Sequence, residues 1–169
     1  EVNAAGMTLI QLADHIQQTH HLYTKTELPR LIALADRVAA SHGERDSRLL
    51  EVAAVVRTLT NEMLDHMKQE EAVLFPLIRR VESEGLPTGP ASAVAERIRA
   101  MEAEHDDAGR ALARLRALTD DFTPGSQSCN SHRALLAGLA AFEADLHRHV
   151  HKENNVLFPR VLGSSPWSQ

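Results

Sequence analysis

One phrase occurs twice in this chain. Residues 66–76 read His-Met-Lys-Gln-Glu-Glu-Ala-Val-Leu-Phe-Pro, and residues 149–159 read His-Val-His-Lys-Glu-Asn-Asn-Val-Leu-Phe-Pro. His66 and His149, Glu70 and Glu153, and Pro76 and Pro159 are each 83 positions apart. A histidine and a carboxylate four apart stand on one face of an α-helix, a turn from each other. One such pair is common by chance. Two in phase within a duplicated frame point to one metal site built from both copies.

The repeat extends well beyond the phrase. Val52, Val56, Leu59, Met63, His66, Glu70 and Val73 alternate in steps of 4 and 3, the core-facing stripe of a bundle helix. Leu135, Leu139, Phe142, Leu146, His149, Glu153 and Val156 are the same stripe 83 residues on. Val94, Ile98, Met101, His105, Ala108, Leu112 and Leu115 make another, with His105 as its one polar member. His21, Thr24, Leu28, Leu31 and Ala35 match His105, Ala108, Leu112, Leu115 and Thr119 at a spacing of 84. Each half is therefore a helix with one core histidine, then a helix with a core His-x-x-x-Glu. Two such hairpins predict an all-α, up-down four-helix bundle with a pseudo-twofold axis.

The punctuation sets the boundaries. Thr8 to Gln11 resembles a capping box and opens a short helix to His20. Before His21 the match fails, because Ile98 and Met101 fall on Asp14 and Gln17, so this helix is expected to be separate. A junction is expected between His20 and Thr26, with Pro29 kinking the next helix or marking its first turn. That helix reaches about Ala40 and stops at Gly43. The second long helix runs from near Asp46 past Glu70, bends at Pro76 and fades near Glu84. Gly85–Pro90 is a turn, the third helix spans Ser92–Leu118, and Thr119–Ser131 is a polar loop. Asn130 or Ser131 caps the fourth helix. The expectation is a single domain over 1–169, with the short helix at 8–20 and the bundle at 21–162.

Composition and charge exclude several classes. With a net charge of −5 and no basic run, nucleic acid is not an expected partner. No apolar run approaches the ~20 residues of a membrane span, and no signal-peptide pattern is visible. The one cysteine, Cys129, precludes an intrachain disulfide and fits a reducing cytoplasm. The chain opens on Glu1 without a methionine, as a piece of a longer protein would.

The predicted site is His21, His66, Glu70, His105, His149 and Glu153. Singly, each has a bland reading. A lone core histidine is more often hydrogen-bonded than metal-bound, and one His-x-x-x-Glu is more often a solvated pair. The two glutamates change the balance: on a buried stripe without lysine or arginine, each costs several kcal/mol unless paired or metal-bound. Four histidines and two glutamates offset that cost by coordinating two cations. No thiolate takes part, and a mixed imidazole and carboxylate box in a bundle suits a pair of irons or manganese. Affinity alone does not exclude zinc. Glu62 and Asp145, a turn before His66 and His149, either orient the histidine rings or line a path for protons or ions, or else sit in water; Glu104 has the same readings. His147 and His151 lie about 200° round the helix from His149 and should face solvent. His42 falls at a loop, His132 at a helix start and His15 in the short first helix. His20 competes with His21, and only the match to His105 favours the latter. Cys129 reads as a small packed hydrophobe.

At these residues the chain resembles the hemerythrin-like superfamily, and more closely the bacterial repair-of-iron-centres family. The resemblance runs from about Leu9 to Leu162 and rests above all on Glu104-His105-Asp106-x-Ala108-Gly109 and Glu153-Asn154-Asn155-Val156-Leu157-Phe158-Pro159. It implies a non-haem centre of two iron ions, bridged by carboxylate and oxo groups, on the six residues named above. It implies a cytoplasmic stress role: repair of iron–sulfur clusters damaged by nitric oxide or peroxide, with the damaged cluster proteins as partners. Reversible binding of nitric oxide or oxygen, as a scavenger or sensor, and reduction of nitric oxide or peroxide are the alternatives. Oxygen-carrying hemerythrins use five histidines and an aspartate, from which the paired His-x-x-x-Glu departs. Family members often carry a small N-terminal domain with a Cys pair, and no such pair occurs in these 169 residues.

Overall fold

A computed structural model of the chain describes residues 3–87, 89 and 92–163. Thr88 and Pro90, within the expected Gly85–Pro90 turn, lie outside them. The architecture is an all-α helical bundle, and no strand occurs among the described residues. After a 3-10 turn at Ala4–Gly6 come α1 (Leu9–Ile16), α2 (Leu22–His42), α3 (Arg48–Gln69) and α4 (Phe75–Glu84). Then follow α5 (Ala93–Leu118), α6 (Asn130–Lys152) and α7 (Phe158–Val161).

Local chemistry explains most of the ends. The Thr8 hydroxyl accepts from the Gln11 N–H and the Gln11 side chain accepts from the Thr8 N–H, so the expected capping box forms. The Glu82 carboxylate accepts from the N–H groups of Leu9 and Ile10 at 2.9 and 3.1 Å, and Arg79 pairs with Asp14. Together these tie the start of α1 to α4. Gly43 closes α2 because a Cβ there would come within 2.5 Å of the Ala39 carbonyl oxygen. Gly85 ends α4 in the left-handed region at φ 67°.

Three π turns depart from the expected pattern. They span Gln17–His21, Glu70–Leu74 and Glu153–Leu157, and the last two are again 83 apart. Phe75 and Phe158 donate their N–H groups five residues back, to the carbonyls of Glu70 and Glu153. The prolines give the reason. In an α-helix the rings of Pro76 and Pro159 would crowd the carbonyls four residues earlier, and the wider turn relieves this without ending the helix. The extra residue also shifts the buried position. Leu74 and Leu157 are buried where Val73 and Val156 were expected, and the valines are half-buried.

The first π turn corrects the junction expected between His20 and Thr26. α1 runs through Gln17–His21 into α2 without a break, and Pro29 lies inside α2, not in its first turn. One inserted residue moves the spacing from 84 to 85. Ile98 then matches Ala13, and Met101 matches Ile16, both fully buried.

The chain forms two compact units. The first comprises Glu1–Leu22, Asp65–His105 and Leu146–Gln169. Its apolar core joins Leu12, Ile16, Leu74, Phe75, Ile98 and Phe158, among others. The second comprises Tyr23–Leu64 and Asp106–Asp145. Its buried residues include Leu28, Leu31, Val56, Leu59, Leu115, Leu139 and Phe142. There α5 leaves through Asp120, Asp121 and Phe122, all left-handed, with the Arg116 guanidinium 4.9 Å over the Phe122 ring.

Candidate metal centre

All six sequence-predicted donors fall in the first unit, and all six are buried. His21, His149, Glu70 and Glu153 are 0% exposed, His66 is 2% and His105 is 5%. They gather into two tetrads. His21, Glu70, His149 and Glu153 form one, and His66, Glu70, His105 and Glu153 form the other. Within each tetrad the four donor atoms lie within 4.8 Å of one another, and both glutamates belong to both. His21 Nε2 and His66 Nε2 stand 3.2 and 3.3 Å from Glu70. His105 Nε2 and His149 Nε2 stand 3.2 and 3.1 Å from Glu153.

These contacts are close without being hydrogen bonds. Both oxygens of Glu70, both of Glu153, and Nε2 of His21 and of His149 have no hydrogen-bond partner. Buried polar atoms are rarely left so. At the other tetrad, His66 Nδ1 donates to Glu104 at 2.7 Å and His105 Nδ1 donates to Asn154 Oδ1 at 2.9 Å. In the neutral rings, both Nε2 atoms are then lone pairs, and they face each other at 3.1 Å. Lone pairs converging in a buried interior fit a cation, and imidazole with carboxylate is a donor set for iron, manganese or zinc.

The local charges agree with this. Burial alone raises Glu70 and Glu153, and Glu153 raises Glu70 further. His21 and His66 nevertheless hold Glu70 below the usual carboxylate range, while His149 and His105 hold Glu153 well below it. Burial lowers His21 and His66, but the surrounding carboxylates outweigh it. Both are raised, and Glu70, Glu153 and Glu104 push His66 up to about 9. Without metal, protons on the histidines take the place of cations.

Of the carboxylates expected near the rings, Glu104 makes a contact with one of them. Glu104 does hold His66. Glu62 is exposed and lies in the second unit in a surface groove with Asp107, Arg110 and Arg114. Asp145 is half-buried, also in the second unit. The residues that sequence reasoning passed over are Glu71 and Asn154. Glu71 accepts from His21 Nδ1 at 2.9 Å, as Asn154 does from His105. The signal was present: both directly follow a site glutamate and are 83 apart. Phe75 stacks on His21 with centroids 5.5 Å apart, and Phe158 on His105 at 6.3 Å. His147 and His151 are exposed. Cys129 is half-buried in the second unit and lies 3.2 Å from His42 Nε2, so it is a partnered thiol and not merely a packed hydrophobe.

Comparison with known proteins adds a family. Residues 12–161 match the model described as "Hemerythrin HHE cation binding domain". The chain is 38% identical over 152 residues to a "Probable iron-sulfur cluster repair protein" of Haemophilus influenzae, covering 90% of this chain and 65% of that one. It is 37% identical over 162 residues to "Iron-sulfur cluster repair protein YtfE" of Musicola paradisiaca, covering 96% and 69%. A protein of the same printed name from Yersinia pseudotuberculosis is 38% identical over 154 residues, covering 91% and 66%. The chain thus spans about two thirds of the length of the relatives it matches.

Proposed function

Since this chain belongs to the hemerythrin HHE cation binding domain family, we propose that it carries two iron ions and serves the repair of damaged iron–sulfur clusters. His21, His66, Glu70, His105, His149 and Glu153 hold the ions, and both glutamates are shared. The observation that carries the reading is the set of buried lone pairs with no hydrogen-bond partner around Glu70 and Glu153. The printed names of the relatives support cluster repair as the purpose.

Iron bound here supplies a change of redox state and coordination positions open to nitric oxide, oxygen or peroxide. The chain supplies the rest. Glu71, Glu104 and Asn154 hold the Nδ1–H groups of His21, His66 and His105, which turns each Nε2 lone pair inward. The rings of Phe75 and Phe158 keep water from the flanks of His21 and His105. Glu70 and Glu153, shared between the tetrads, would hold an ion at either one. The partners are damaged cluster proteins, and the place is the cytoplasm. No described helix is long and apolar enough to cross a membrane.

The test is reactivation of a nitric-oxide-damaged cluster enzyme by the iron-loaded protein. Wild type should restore it, and the Glu70→Leu, Glu153→Leu double variant should not. Equal repair by the two would end the proposal. Protein purified without oxygen should hold two irons per chain, and His66→Leu should retain fewer, whereas His147→Leu should retain both.

A further inference from the structure

The repeat shows where the two sides of the centre stop matching. Glu104, the residue before His105, closes off His66 Nδ1 at 2.7 Å. Its counterpart 84 positions earlier, the residue before His21, is His20. His20 is 4% exposed, and its ring lies parallel to that of His149, 5.5 Å away with 2° between the planes. His149 Nδ1 has no hydrogen-bond partner where its counterpart His66 has a carboxylate.

What His20 does touch is an ammonium. Lys152 Nζ stands 2.7 Å from His20 Nε2 and 3.1 Å from His15 Nε2. An ammonium has three donors and no acceptor, so both imidazoles accept with their Nε2 lone pairs and carry their protons on Nδ1. Burial, then the Lys152 charge, then His20 lower the His15 pKa, which keeps its ring neutral. Two imidazole lone pairs are thus aimed at one cation, the arrangement a divalent metal uses. His15 and Lys152 are half-buried, so the group runs from partly exposed side chains to the ring against His149.

We propose that His15 and His20 form a transit site for a divalent cation beside His149, which the Lys152 ammonium closes by occupying the same two imidazole lone pairs. The lysine stem has four rotatable carbons, so its ammonium withdraws without moving the helix. The rings then close from about 3 Å around Nζ to the ~2.1 Å of a metal–imidazole bond. Return of the ammonium expels the ion by like-charge repulsion. The transit role rests on the iron traffic proposed above; the site itself does not.

The experiment uses the metal-loaded chain and Co2+ as the added probe. By equilibrium dialysis, Lys152→Met should take up one more Co2+ per chain than wild type, and adding His15→Ala to it should remove that uptake. In parallel, a soluble chelator should strip iron several-fold faster from Lys152→Met and several-fold slower from His15→Ala, starting from equal iron content. No additional ion in Lys152→Met, or unchanged stripping rates in both variants, would overturn the inference. If Lys152→Met does not fold, the stripping rate of His15→Ala decides alone: slower supports the site, unchanged refutes it. Cluster reactivation is read separately. Lost repair with the extra ion intact counts against the proposed function and leaves the site standing.

Discussion

The two units fill the same helical stripe with opposite materials. In the second, buried polar groups are few and mostly answered by protein. Glu143, 6% exposed, receives Arg116 Nε at 2.9 Å, and the hydroxyls of Thr60 and Thr119 donate to the carbonyls of Val56 and Leu115 at 2.7 Å. Pairs on its surface, such as Arg57 with Asp36 at 2.6 Å, contribute less than about 1 kcal/mol each. In the first unit Glu70 and Glu153 are more deeply buried than Glu143, and their four oxygens have no hydrogen-bond partner. Buried carboxylates without hydrogen-bond partners depend on a compensating positive charge, from histidine protons or from a bound cation. The second unit therefore reads as scaffold, and the first as a site that depends on something it binds.

The sharpest way to break that contrast is to remove metal. Chelation should lower unfolding stability by ~4 kcal/mol or more, the linkage expected at a thousandfold excess over Kd. The metal-free chain should also be pH-sensitive. His66, raised from 6.5 to about 9, adds stability that is complete below about 6.5 and is lost as pH rises through about 9. Glu70 and Glu153 are lowered, so their stability is present above the usual carboxylate range and lost as pH falls through their folded values. Thermal melts of metal-free protein at pH 7 and 10 should show the alkaline loss. Equal melting temperatures would mean that the histidines do not stand in for cations.

Next in size is Leu139→Ala, at a fully buried position of the second unit. It should cost roughly 3 kcal/mol by urea unfolding and leave the iron-to-protein ratio unchanged. Coupled loss of iron would erase the division between scaffold and site. Smallest is Glu104→Gln, which keeps an acceptor for His66 but removes the charge. Metal affinity should fall by about tenfold, the lower end for partners of ligands, with unchanged folding. An unaltered affinity by competitive titration would reduce Glu104 to a surface contact.

Much of this was legible in the sequence because the core is periodic. The stripe and the repeat carried the helical phase of His66, Glu70, His105, His149 and Glu153 straight into one core. What escaped was whatever interrupts the period. A π turn adds one residue without changing the residue types around it, so the stripe falls on Val73 and Val156 where the buried residues are Leu74 and Leu157. At Gln17–His21 the same insertion broke the register and looked like a helix end. It also explains why His20 and His21 were hard to separate: in the wider turn both are buried. Glu71 and Asn154 escaped for another reason. Their partners lie 50 and 49 residues away on other helices, and no stripe reports such contacts.

The sharing of Glu70 and Glu153 makes the two kinds of donor unequal under mutation. Each histidine belongs to one tetrad, so losing one removes a donor from one position and leaves the other complete. Each glutamate belongs to both, so losing one removes a donor from both at once. A change at one histidine therefore acts on one tetrad, and a change at either carboxylate acts on both.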